Sequence, residues 1–323
     1  MAGVTLITGG LGFVGSHFTW AAARAGRDLV VLDDGSAGTS PPLPEGVEVV
    51  RGDIGDRPLV ADLLRRRGVD AIVHFAGKIQ VGESVTKPAL YFDVNLIRAF
   101  ALIEEARAAG VERMIFSSTA AVYGEPSAVP IPESAPKRPV NPYGASKLAY
   151  EHILEAYGHA YGLRWAALRY FNAAGADPSG QLREAHDPET HLIPLVLDAG
   201  LGRRPPLTLF GEDYPTRDGT CERDYIHVVD LAAAHLKALD LLSTGRNVGP
   251  VNLGTGRGTT VKEILDEAAR VLGRPIPHTV GPRRAGDPSS LVADPRRAEE
   301  LLGWRAERSD LPTLLEDALR SRQ

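Results

Sequence analysis

Val4-Thr5-Leu6-Ile7-Thr8-Gly9-Gly10-Leu11-Gly12-Phe13-Val14-Gly15-Ser16-His17 is a short apolar, β-branched run that breaks into a glycine-spaced turn. A run of this kind, apolar at consecutive positions, reads as a parallel strand buried on both faces. The glycines Gly9, Gly12 and Gly15 follow it as G-x-x-G-x-x-G. One permits a tight turn, one lets backbone N–H groups approach a pyrophosphate, and one lets a helix pack closely on the strand. The periodicity predicts a helix from Phe13 to Ala25, whose N-terminus would face the anion.

Working outward, Leu29–Leu32 is a second strand that ends in Asp33-Asp34. Asp33 lies about 18 residues past Gly15, near the spacing expected of the acid that binds an adenosine ribose. A carboxylate there accepts from the ribose hydroxyls and repels a 2′-phosphate, which argues for NAD over NADP. Val47–Val50 is a third strand, followed by Gly52-Asp53-Ile54, where Asp53 can accept from the adenine amino group. Arg57–Arg67 reads as a charged, solvated helix. Ala71–Gly77 is a fourth strand and its loop, in which the small residues of Phe75-Ala76-Gly77 let backbone lie against the cofactor; His74 reads as a packed core histidine. Lys78–Ser84 reads as irregular chain near the nicotinamide pocket. The helix Leu90–Ala109 carries Asn95 toward the same crevice. Arg113–Phe116 is the fifth strand, and Ser117 and Thr119 place hydroxyls at its carboxyl end, where ligands bind in open α/β sheets. The expected fold is therefore α/β: a Rossmann-type doubly wound parallel sheet over residues 1–170, with a smaller C-terminal α/β substrate-binding domain over residues 171–323. The boundary is approximate, since segments of the second half can return to the first.

Pro126–Pro139 holds five prolines and reads as an exposed loop. It leads into Asn141-Pro142-Tyr143-Gly144-Ala145-Ser146-Lys147. Asn141 can cap a helix and Pro142 fits its first turn. Tyr143 and Lys147 then share one helix face. A phenol titrates near ~10, and a nearby ammonium favours its ionised form. Such a tyrosine can take and return a proton on a sugar hydroxyl. On its own the Tyr-x-x-x-Lys spacing is common on surface helices; the dinucleotide turn upstream and the hydroxyls near Thr119 give it weight.

Formal net charge is -5, with no basic footprint for nucleic acid. There is no apolar run of membrane-spanning length. The lone cysteine, Cys221, excludes an intramolecular disulfide framework and fits a reducing compartment, so a cytoplasmic enzyme is expected. In the second half, Leu207–Phe210 is a short strand, and Gly175–Thr190 is a polar loop expected to cover the substrate. Arg217, Arg223, Arg283 and Arg284 supply guanidinium groups of the kind that grip a diphosphate; Arg203, Arg204 and Arg296 read as surface arginines.

These stretches together resemble the extended short-chain dehydrogenase/reductase superfamily and, more closely, its UDP-glucose (UDP-galactose) 4-epimerase family. The likeness runs through Thr8–His17, Gly52-Asp53-Ile54, His74–Ser84, Phe116–Gly124, Pro142–Lys147 and Leu168–Asn172. It continues through Phe210–Thr220, Arg223–Asp230, Asn252–Gly256 and Pro282–Asp287. The resemblance implies Tyr143 as acid/base, Lys147 as its electrostatic partner and nicotinamide-ribose ligand, and Thr119 as the hydroxyl bonded to sugar O4 and to Tyr143. It implies Phe13 and Val14 at the pyrophosphate. Asp33, Asp34, Gly35, Ser36, Asp53, Ile54, Phe75, Ala76, Gly77, Asn95 and Phe171 would line NAD. Asn172, Leu192, Thr208, Leu209, Phe210, Arg223, Arg284 and Asp287 would lie on the UDP-sugar side.

Three positions depart from the family pattern. Ile79 stands where some relatives have a pyrophosphate lysine, leaving open whether Lys78 replaces it. His191 stands for an Asn, and Leu291 for a Tyr that gates the hexose C2 substituent. The implied reaction is NAD-dependent epimerisation at C4 of a UDP-hexose through a transient 4-keto sugar, in a homodimer that pairs the Tyr143 helix with the Leu90–Ala109 helix. The alternatives are a UDP-N-acetylhexosamine or UDP-uronic acid 4-epimerase, another nucleotide-sugar-modifying relative, or a non-catalytic NAD-binding regulator. A 4,6-dehydratase is disfavoured, because Ala120-Ala121 stands where that class carries an Asp-Glu pair.

Overall fold

A computed structural model describes residues 3–36, 41–184, 186, 188–284 and 287–322. Ala285 and Gly286, inside the Pro282–Asp287 stretch, lie outside the described residues, as do Ala185 and Asp187 of the Gly175–Thr190 loop. Six strands form in chain order: β1 (Val4–Thr8), β2 (Leu29–Asp33), β3 (Glu48–Arg51), β4 (Val69–His74), β5 (Arg113–Thr119) and β6 (Arg164–Tyr170). They pair in parallel in the spatial order β6-β5-β4-β1-β2-β3, and a seventh strand, Gly249–Leu253, adds in parallel outside β6. The expected doubly wound sheet is present.

Consecutive residues of β1 serve opposite faces, which is why the strand reads as unbroken apolar sequence: Leu6 packs into one core and Ile7 into the other. On the Leu6 side lie the helices Arg57–Arg67, Ala99–Ala108 and Pro142–Tyr161, through Leu63, Leu102, Ile103, Tyr150 and Leu154. On the Ile7 side lie the helices Phe13–Arg24 and Val228–Ser243, through Phe18, Ala22, Leu231, Ala238 and Leu242. The strand Gly249–Leu253 and the helix Val228–Ser243 thus come after residue 170 in sequence but build the first sheet's layers in space. A third core, around Ile193, Leu197, Tyr225, Ile264 and Leu315, belongs to the second lobe. That lobe carries three small sheets, pairing Asn172–Ala174 with Tyr225–His227, Leu207–Phe210 with His278–Gly281, and Glu222–Arg223 with Thr259–Thr260 and Ser290–Leu291. No helix among the described residues is long and apolar enough to cross a membrane.

Two expectations need correction. The segment Lys78–Ser84 is not wholly irregular, since a short helix runs from Val81 to Thr86 and Ser84 Oγ bonds the Val81 carbonyl inside it. The Leu90–Ala109 helix begins earlier, at Pro88, and is interrupted by a π-helical stretch, Asp93–Arg98. A π stretch advances the helix face by about one residue, and such bulges favour functional sites. Here it carries Asn95 inward.

Gly15 shows how little space joins helix to strand: a Cβ there would stand 2.1 Å from the Gly9 carbonyl oxygen. Gly15→Ala is expected to push the Phe13–Arg24 helix off the turn, lowering stability by about 1–3 kcal/mol. NAD carried per purified chain, read by absorbance after denaturation, should fall with it; unchanged occupancy would show that the close approach is dispensable.

Candidate active site

The carboxyl ends of β1, β2, β4 and β5 meet along one edge of the sheet, and strand order reverses between β1 and β4. Open α/β sheets bind ligands at such a switch point. The turn after β1 opens the Phe13–Arg24 helix on Gly12, with no side-chain cap and no acid in the first turn. Its N-terminal N–H groups, those of Phe13 and Val14 among them, thus meet no competing carboxylate of their own, which fits a pyrophosphate. Asp33, buried at the end of β2, accepts from Leu11 N at 2.9 Å and from Gly35 N at 2.8 Å. Each carboxylate oxygen retains further acceptor capacity for a ribose hydroxyl. Asp34 is exposed and accepts from Ser36 N at 2.8 Å. These features fit NAD.

Asp53 accepts from Gly55 N at 2.6 Å and is ion-paired with Arg98. Arg98 also holds Asp93, at 2.6 Å. This arginine is a residue that the sequence reading missed. Ile54 is buried beside Leu63 and Leu64 in the sheet's core. Phe75 packs on His235 and Phe18, with ring centroids 4.9 and 5.5 Å away, and Ala76 packs against the opposite core. Asn95 binds the loop after β4 at both ends of its amide, accepting from Lys78 N at 2.8 Å and donating to the Lys78 carbonyl at 3.0 Å. It also donates to Ser146 Oγ at 3.2 Å, one helical residue from Lys147. Its role in the structure is to fix the Gly77-Lys78 backbone. Ile79 is exposed. His74 is a core group, as expected: its Nδ1 lies 2.7 Å from Thr8 Oγ1, and burial pushes it down to about 3.

The Pro142–Tyr161 helix starts as its sequence predicts, with Asn141 Oδ1 accepting from Gly144 N at 2.8 Å and Pro142 in the first turn. A Cβ on Gly144 would stand 2.5 Å from the Ala121 carbonyl oxygen, so glycine lets the helix end press onto the chain leaving β5. That contact sets Tyr143 beside Thr119, whose hydroxyl lies close enough to oppose the rise of the phenol. Thr119 Oγ1 also accepts from Ala121 N at 3.1 Å. Lys147 is buried, donates to the Ser117 carbonyl at 2.9 Å and lies 4.7 Å from the centre of the Phe116 ring. Burial pushes the Lys147 ammonium down to about 8. Tyr143 does not show the lowering expected from a neighbouring ammonium. Burial pushes its phenol up, opposed by the Thr119 hydrogen bond. The Lys147 ammonium is itself engaged by the Ser117 carbonyl.

On the second lobe, Arg223 is ion-paired with Asp287, and Arg284 lies 4.4 Å from the centre of the Phe210 ring. Leu291 pairs in register with Arg223, and it packs with Phe171 against Val122, Tyr123 and Ile131. Asn172 opens the strand beside Tyr225, and Thr208 and Leu209 pair with Thr279 and Val280. Leu192 begins the helix Leu192–Gly200 directly after His191, which contacts Glu184. Of the four arginines singled out as diphosphate ligands, three are ion-paired within the protein, Arg223 with Asp287 as above and two more. Arg217 is ion-paired with Glu222 and Glu263, and Arg283 bonds Asp213 at 2.7 Å while stacking on Tyr214.

The sequence model of the NAD dependent epimerase/dehydratase family matches residues 5–254. A UDP-glucose 4-epimerase of Streptomyces lividans is 49% identical over 312 residues, covering 96% of this chain and 94% of the relative. The structure is similar to that of UDP-glucose 4-epimerase from Brucella ovis in complex with NAD, with TM-score 0.94, 45% identity and 98% of each chain covered. It is also similar to the Bifidobacterium longum UDP-glucose 4-epimerase in complex with NAD+ and UDP, with TM-score 0.92, 36% identity, and 99% of this chain and 98% of that one covered. The chain belongs to the NAD-dependent epimerase/dehydratase family and, within it, to the UDP-glucose 4-epimerases.

Proposed function

We propose that this enzyme interconverts UDP-galactose and UDP-glucose by inverting C4 through a transient 4-keto sugar. The observation that carries the proposal is the Tyr143 phenol set beside the Thr119 hydroxyl at the carboxyl end of β5, with Lys147 on the same helix face. NAD, held by the turn Gly9–Gly15 and by Asp33, would supply the reversible uptake of the C4 hydride and the positive charge of its oxidised ring. In this reading Tyr143 exchanges the C4 hydroxyl proton, relayed to or from Thr119 Oγ1. Lys147, charged below about pH 8, supplies the positive charge beneath that exchange. Asn95 keeps the Gly77-Lys78 backbone in place beside the sugar ring. Arg223 and Arg284 hold the diphosphate, and the 4-keto sugar turns about that anchor to present its other face.

The test uses the purified chain with UDP-galactose and no added cofactor, the sugar nucleotides being resolved by ion-pair chromatography. UDP-glucose should form, to the same final ratio as when the reaction starts from UDP-glucose. Failure in both directions, with NAD supplied, would end the reading in favour of another nucleotide sugar.

The homodimer is part of the proposal. Phe92, Ile97 and Phe100 project exposed from the helical stretch 88–108, and Tyr161 from the end of the Tyr143 helix, a patch that a second copy would cover. Ile97→Glu is expected to shift the mass measured by light scattering toward the monomer, and an unchanged mass would remove these helices from the interface.

A further inference from the structure

The loop ahead of the Leu192–Gly200 helix gathers Glu184, His186, Glu189 and His191, and one donor atom from each lies within 4.8 Å of the others. The His186 Nδ1 is buried without a hydrogen-bond partner, 3.4 Å from Glu184 Oε1 and 3.8 Å from Glu189 Oε1. The His191 Nδ1 faces the same carboxylates, in contact with Glu184 and 3.8 Å from Glu189. Glu184 has a nearly buried side chain, 4% exposed, and Glu189 Oε1 is oriented by Thr190 N and His191 N at 2.8 and 3.0 Å. Two imidazoles and two carboxylates converging on one point, with an unpartnered ring nitrogen among them, make a donor set that a cation completes.

We infer that Glu184, His186, Glu189 and His191 bind a divalent transition cation of the Zn2+ class. Mixed nitrogen and oxygen donors suit Zn2+, whereas Mg2+ and Ca2+ favour oxygen alone. Four protein donors leave no open position, so the ion is structural. A cavity of about 210 Å3 bordered by Glu184, His186 and Glu189 gives it an entry path. Arg183, Arg203 and Arg322 border the same cavity and work against a cation, so affinity rests on the four donors alone. The His186 ring stands edge-on to Phe13 with centroids 6.5 Å apart, so the ion would tie the loop down beside the first residue of the dinucleotide-turn helix.

The test is calorimetric titration of ZnCl2 into the tag-free full chain after chelator treatment, with unfolding midpoints measured with and without Zn2+. Wild type should take one equivalent and gain in midpoint. His186→Ala and Glu189→Gln should each bind at least about tenfold more weakly, since even partners outside the ligand shell change affinity by that much. His152→Ala, at an exposed helix position, should bind like wild type. No uptake at micromolar Zn2+, or equal uptake by wild type and both loop variants, would overturn the site; in the first case the histidines simply share Glu184 as hydrogen-bond partners.

Discussion

Replacing Tyr143 by phenylalanine is expected to lower kcat for UDP-galactose by about 10²–10⁴-fold, the usual worth of a positioned proton carrier. NAD content and unfolding midpoint should stay near wild type. The ring's edge-on packing against Tyr91, with centroids 6.4 Å apart, survives the change. Thr119 loses one partner but still accepts from Ala121 N. KM should move little, because the diphosphate anchor lies on the second lobe. Lys147 keeps its bond to the Ser117 carbonyl, so its charge stays in place. The loss therefore isolates the phenolic proton. Burial pushes that phenol up and Thr119 opposes the shift, so positive charge near the ring favours the ionised form that the exchange needs. Measuring kcat and KM for this variant checks the assignment, and near-wild-type turnover would transfer the proton to another group.

What the chain revealed in advance follows from how local each signal is. Gly9, Gly12, Gly15, Asp33, Asn141, Tyr143 and Lys147 act through turns and helix positions a few residues apart, so their spacing already carries the geometry. The ion pair of Arg98 with Asp53 joins residues 45 apart in sequence, and neither flank hints at the other. The π stretch at Asp93–Arg98 leaves the apolar pattern almost intact, so Asn95 could be placed near the crevice but not assigned its bonds to the Lys78 backbone. Pro194 hid the Leu192–Gly200 helix, although a proline in the first turn removes only an N–H with no helical partner. Gly249-Pro250 similarly masked the seventh strand, which is tolerated because it forms the sheet's edge. Glu184 and His191 converge through a loop whose polar composition suggests a cover for the substrate but not which of its side chains meet.

Breaking the buried pair of Glu151 with Arg169 is expected to have the largest effect on stability. Arg169 is 1% exposed and Glu151 5% exposed. The guanidinium donates twice, Nε to Oε1 at 2.9 Å and Nη2 to Oε2 at 2.5 Å. Glu151 also accepts from Ser118 Oγ at 2.5 Å, directly beneath Thr119. On the other side Arg169 donates to the Tyr123 hydroxyl at 2.8 Å, and Tyr123 donates to Asn252 Oδ1 at 2.6 Å. Asn252 in turn donates to the Ile131 carbonyl at 2.8 Å. The chain of bonds ties the Tyr143 helix, the end of β5, β6, the seventh strand and the proline-rich loop together behind the site. Glu151→Leu leaves the guanidinium buried without its counter-charge and should cost about 3–5 kcal/mol in denaturant unfolding. Arg169→Met should cost a similar amount through the stranded carboxylate. The double variant removes both charges at once and should be more stable than either single, because no uncompensated ion remains. A double variant less stable than both singles would mean that the network's value lies in its hydrogen bonds to Ser118 and Tyr123 rather than in charge balance. The expected order, wild type and double above both singles, would mark the pair as a device for aligning β5 with β6, at whose shared edge Thr119 meets Tyr170 in register and Tyr143 meets Thr119.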